Sequence, residues 1–86
     1  MLEELGDDIN AVAARLKAAR EALELTKRSF AERAGMSENT YGPFENAIRP
    51  LSLEAAKKIR KAHGLTLEFM YFGKIDDLPH RIVAKL

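Results

Sequence analysis

Between Ser37 and Arg49 the chain reads SENTYGPFENAIR, side chains suited to polar recognition rather than catalysis. Ser37, Glu38, Asn39 and Thr40 offer a hydroxyl, a carboxylate, an amide and a second hydroxyl in succession, and Asn46 adds another amide. Carried on a helix, such groups match base edges: an asparagine amide fits adenine N6 and N7, and a carboxylate accepts from cytosine N4. Lys27 and Arg28 before this run, and Arg49 at its end, are cations that suit phosphate oxygens, contacts that hold register without reading sequence. Gly42 and Pro43 lie in the middle, although they are the two worst residues for a helix interior. Pro43 removes a donor to the Asn39 carbonyl, and Gly42, lacking Cβ, is the residue best able to precede proline inside a helix. The pair predicts a helix that is kinked, or split with Pro43 opening its second half. Gly42 could then bring backbone close to a base edge, and the Pro43 ring could touch a thymine methyl. Alternatively the pair merely shortens the helix and reads nothing.

Other chemistries find no support. Cysteine is absent, and the two histidines, His63 and His80, are far apart without paired ligands, so no metal site is expected. No nucleophile–base spacing or phosphate-cradling glycine loop occurs, and the carboxylates are scattered, so neither an enzyme nor a cofactor is expected. No apolar run approaches the roughly 20 residues of a membrane span. The acidic start, MLEELGDD, is not a secretory signal, which predicts a cytoplasmic protein. The 86 residues suffice for one small domain, residues 1–86, with an acidic leader over 1–7 and a tail over 74–86. That size leaves no room for a ligand-sensing domain, so no small-molecule ligand is expected. At 47% hydrophobic residues with no Trp, the core must be aliphatic and Ala-rich. Net charge is +1, but four acids fall in the first ten residues and leave +5 on the remainder, a balance that permits a polyanionic partner.

These groups must be positioned by helices, since no stretch shows sustained apolar/polar alternation. Ile9, Val12, Leu16, Ala19 and Leu23 recur at helical spacing and predict a first helix over about 8–23, with Asp7 or Asp8 as N-cap. Thr26 caps a second helix closed by Gly35; Ser37 caps a third after the turn GMS; Ser52 caps a fourth ended by Gly64 near His63; Thr66 caps a short fifth stopped by Gly73. LPHRIVAKL predicts a short helix in the tail, with Pro79 near its first turn. The expected fold is all-α, five helices with a short C-terminal helical tail. Within it, Lys27–Ala34 and Glu38–Asn46, joined by GMS, form a helix-turn-helix signature. In that motif the first helix crosses the DNA backbone while the second enters the major groove.

From Val12 to Gly73 the sequence resembles the Cro/phage-repressor (XRE) helix-turn-helix family. The resemblance is carried by Leu16, Arg20, Leu25, Thr26, Phe30, Ala31, Ala34, Gly35, Met36, Ser37, Thr40, Tyr41, Phe44, Glu45, Arg49, Ser52, Leu53, Ala56 and Ile59, in order. It implies a lambda-repressor-like domain acting as a homodimer on a palindromic double-stranded DNA operator, most often as a transcriptional repressor in a prokaryotic cell, nucleoid-associated when bound. Arg20 and Glu45 resemble the family's ion pair between helices one and three, a structural role. The departures are Lys27 for the family's Gln, Ala47 for its Gly, Pro50 one residue early, and Gly42-Pro43 in the recognition helix. Asn46 is expected to take the left-handed conformation that Gly would otherwise supply.

Lys57, Lys58, Arg60 and Lys61 form a basic run that reads as a solvated helix face. Leu65, Leu67, Met70, Tyr71, Leu78 and Ile82, with Val83 and Leu86, offer more apolar side chains than five helices need, and predict a dimer interface through helix five and the tail. The alternative function is a protein-interaction module, an antitoxin or antiactivator that keeps the fold without strong DNA reading. Gly42-Pro43, Glu38 and the modest net charge support it.

Overall fold

Asp8, Thr26, Ser37, Ser52 and Thr66 each turn a side-chain oxygen onto the first free N–H groups of a helix. The structure, a computed structural model, describes residues 8–86; the acidic leader lies outside them. The helices are α1 (Ile9–Ala22), α2 (Lys27–Arg33), α3 (Glu38–Glu45), α4 (Leu53–His63), α5 (Leu67–Phe72) and α6 (His80–Val83). No strand occurs among the described residues, and the fold is all-α.

Three helices end in the same closure. After each, the residue at C′ takes positive φ while its N–H and the next return to the last-turn carbonyls, the Schellman arrangement. At α2 the C′ residue is Gly35, with φ 78°, which suits it. At α1 it is Glu24 (φ 60°), with Leu25 N donating to the Arg20 carbonyl at 3.2 Å. At α3 it is Ala47 (φ 59°), with Ile48 N donating to the Pro43 carbonyl at 2.9 Å. The left-handed residue is therefore Ala47, not Asn46, whose φ is −90°. The ladder fixes the place: α3 runs through Glu45, Asn46 becomes its C-cap, and the reversal falls one residue later. Helix α3 is also not split, since Gly42 and Pro43 lie inside one helical segment.

Helix α1 packs against α3, α5 and α6, α2 against α3, and α4 against α5. Leu16 and Ala19 of α1, Phe30 and Ala31 of α2, Tyr41 of α3, and Ala56 and Ile59 of α4 are fully buried between them. Full burial of each larger aliphatic side chain contributes about 1.5–3 kcal/mol. The small alanines let the helices approach closely.

The core also takes most of the apolar side chains expected at a dimer interface. Leu65, Met70 and Ile82 have no exposed surface, and Leu78 has 8%. Leu67 and Tyr71 are half-buried against the same core, and the Tyr71 hydroxyl donates to the Leu51 carbonyl at 2.7 Å. The apolar surplus inferred from the sequence is thus largely consumed within one chain: the tail folds back, and α6 lays Ile82 on α1. His63, at the end of α4, is buried as well, its ring stacked on Phe30 at 4.1 Å and its Nε2 donating to the Phe30 carbonyl at 2.9 Å. His80 is exposed.

Candidate nucleic-acid interface

The recognition segment is held by one buried charge cluster. Arg20, from α1, donates through Nε to Glu45 Oε2 at 2.9 Å and through Nη2 to Oε1 at 2.8 Å. Its Nη1 donates to the Leu25 carbonyl at 2.8 Å, fixing the α1–α2 turn. The Tyr41 hydroxyl donates to Glu45 Oε2, the oxygen that also accepts from Arg20 Nε, at 2.7 Å. The side chain of Glu45 is 1% exposed and that of Arg20 12%. Burial alone would raise the Glu45 pKa, but the bonds from Arg20 and Tyr41 hold it below the usual carboxylate value. Burial, then the bond to Glu45, pushes the Tyr41 hydroxyl well above its ordinary value, so it remains a donor. The cluster ties α3 to α1 and so sets which face of α3 points outward.

Tyr41, Phe44 and Glu45 turn inward. Glu38, Asn39, Thr40 and Asn46 are exposed, and Gly42 and Pro43 are half-buried. At helical spacing, Asn39, Gly42, Pro43 and Asn46 share one outward stripe. A Cβ built on Gly42 would meet nothing within 4 Å, so the stripe is open there. A shallow concavity of about 250 Å³ between α2 and the start of α3 is lined by Arg28, Glu32, Ser37, Glu38 and Asn39.

Several candidate groups already have partners. Ser37 Oγ accepts from Thr40 N at 3.2 Å and donates to Thr40 Oγ1 at 3.1 Å, so Ser37 is chiefly the cap of α3. Lys27 Nζ donates to Asn46 Oδ1 at 3.1 Å, linking the start of α2 to the end of α3. Arg28 pairs with Glu32 at 3.1 Å, both well exposed, a contact worth little in water. Arg49 is exposed, and its N–H joins that of Ile48 on the Pro43 carbonyl, at 3.1 Å. Pro43 thus anchors the loop that carries Arg49. The Asn39 amide has no hydrogen-bond partner among the described residues.

Two features escaped the sequence. The Lys27–Asn46 link joins residues 19 apart and leaves no local signature. Ile48, 70% exposed beside Arg49, is signalled only as an apolar residue in a polar loop. No group of residues that could hold a metal occurs among the described residues. No helix among them is long and apolar enough to cross a membrane.

Comparison with known proteins agrees with this geometry. No curated protein and no solved structure matches the chain. A family model described as helix-turn-helix matches residues 16–70, more than half of the 86, and spans α1 from Leu16 through α2, the GMS turn, α3 and α4 into α5. With two short helices about a glycine turn and a polar face on the second, the chain belongs to the Cro/repressor-like (XRE) helix-turn-helix family of DNA-binding transcriptional regulators.

Proposed function

We propose that the protein is a transcriptional repressor that binds a palindromic operator as a homodimer, with α3 in the major groove. The observation that carries this reading is the outward stripe of α3, with Lys27 bonded to its last residue, Asn46, Arg28 beside its start, and exposed Arg49 in the loop that follows. Cations in these places suit phosphates on either side of a groove while the stripe reads bases. Regulation then lies in protein concentration and operator occupancy, in the cytoplasm and without catalysis. The dimer would use the apolar surface left outside the core: half-buried Leu67 and Tyr71, with Phe72 and Ile75, which are 51% and 48% exposed. Two-fold symmetry would set the two recognition helices about 34 Å apart, one DNA turn.

Selection of bound duplexes from a random pool tests the reading. A two-fold symmetric consensus with half-sites one turn apart is expected, together with a dimer mass by light scattering at tens of micromolar. A monomer mass, or an asymmetric single-site consensus, would refute the dimer. Repression is tested by placing the consensus in a promoter ahead of a reporter.

One observation favours a second reading. Among residues 38–46 there is no lysine or arginine, and Glu38 is acidic. A protein-interaction module, antitoxin or antiactivator, would tolerate such a face. Failure to shift any genomic fragment at low salt would select that reading.

A further inference from the structure

The recognition face is unusual in what it can donate and accept, and this bears on the base pairs it reads. The inference rests on the major-groove reading above. Guanine offers two acceptors, O6 and N7, and is most commonly read by Arg or Lys. The outward stripe of α3, Asn39, Gly42, Pro43 and Asn46, carries neither and has no charge; the exposed charge beside it, at the start of the helix, is the Glu38 carboxylate, which does not favour the acceptor-rich edge of guanine. Of the nearest cations, Lys27 is bonded to Asn46, and Arg28 and Arg49 are given to phosphates in the reading above.

The two amides differ. A lysine ammonium can only donate, so the Asn46 atom that meets it must be the oxygen. Asn46 therefore has one acceptor site of its oxygen occupied by Lys27, while its NH2 has no partner among the described residues. Asn39, with no partner among the described residues, presents both carbonyl and NH2, the pair of functions that matches adenine N7 and N6. Between the amides lie Gly42 and Pro43. The open space at Gly42 leaves nothing to hold a base edge away, and the Pro43 ring supplies an apolar surface beside it. Apolar contact of this kind fits the thymine C5-methyl group, which no other base of unmodified DNA carries.

We infer that the half-site read by α3 contains an adenine under Asn39 and a thymine whose methyl packs on Gly42-Pro43, with guanine excluded at both places. Four residues of helix rise about 6 Å, so the two base pairs lie about two steps apart.

The test uses the full chain and synthetic duplexes. From a random pool, the half-site should enrich adenine and thymine about two base pairs apart. In the selected duplex, replacing that thymine by uracil removes only the methyl group. Wild type should bind the uracil duplex about fourfold more weakly, the weight of one buried methyl group. In Pro43→Ala, which restores a backbone donor inside α3 and so keeps the helix, the two duplexes should bind equally. Guanine enriched at either place, or a uracil duplex bound as tightly by wild type, would overturn the inference and leave DNA binding standing. A pool with no enrichment at all would overturn the groove reading together with it.

Discussion

Replacing Arg20 by Met removes the charge that holds Glu45 while leaving much of its volume filled. Glu45 is then a carboxylate whose side chain is 1% exposed, facing one neutral donor, the Tyr41 hydroxyl. The Leu25 carbonyl also loses its donor. Breaking a fully buried pair costs about 3–5 kcal/mol; the 12% exposure of Arg20 places this one near the lower end, about 3 kcal/mol. For a domain of this size that is a fall in Tm of about 12–24 °C. The pH dependence should also invert. In wild type the folded pKa of Glu45 lies below 4.5, so its contribution is present above that pH and lost as pH falls through the folded value. In Arg20→Met, burial outweighs the single Tyr41 bond and the folded pKa rises above 4.5. The variant should therefore gain stability relative to wild type as pH falls from 7 towards 4.5. Arg20→Met/Glu45→Gln, which removes the stranded charge, should recover part of the loss at neutral pH. Thermal melts of the four proteins of this cycle at pH 7 and pH 5 measure both effects. An Arg20→Met protein that melts with wild type at pH 7, or whose deficit does not shrink at pH 5, would show that the cluster does not hold the charge as described.

Ala47→Gly should raise stability by about 0.5–1 kcal/mol, because release from the left-handed penalty exceeds the added entropy of glycine in the unfolded chain; thermal melts measure it. Lys27→Ala should weaken binding to every duplex and lower the magnitude of the salt slope by about one, whereas Asn46→Ala should leave that slope unchanged; titrations at two salt concentrations separate them. His63 is held below its usual value of 6.5 by burial, against the bond to Phe30 and aided by Arg33 and Arg81. The unfolded chain therefore binds the extra proton below that pH, and stability should fall as pH drops from about 6.5, by at most about 1.4 kcal/mol per pH unit. Urea midpoints at pH 7.5 and 5.5 should show this slope, reduced in His63→Gln.

The helices were legible in the sequence because their ends carry local chemistry. Thr26, Ser37, Ser52 and Thr66 cap, and Gly35, Gly64 and Gly73 reverse the chain, each within a few residues of the backbone it serves. The exposed polar face of α3 followed from the same periodicity. Other features depend on contacts between distant segments. A count of apolar residues cannot divide core from interface, so Leu65, Met70, Leu78 and Ile82 are assigned only once the tail is seen lying on the helices. Asn is the better left-handed residue in isolation, yet the hydrogen-bond ladder of α3 gives that conformation to Ala47. The split, one of the expectations at Gly42-Pro43, did not follow, because Pro43 costs one donor while α3 stays anchored through Tyr41 and Glu45 on either side.

The bond between Lys27 and Asn46 has a kinetic consequence. A lysine has three protons to give, and one is engaged with Asn46, so the same ammonium can rest on a phosphate and still aim the amide. If Lys27 meets phosphates as proposed, the amide would stay oriented by its tether while the protein slides along non-matching DNA, rather than searching rotamers afresh. A base-reading group kept aligned in transit would shorten the time needed to test each register, and would let a recognition surface with little charge of its own inspect DNA quickly.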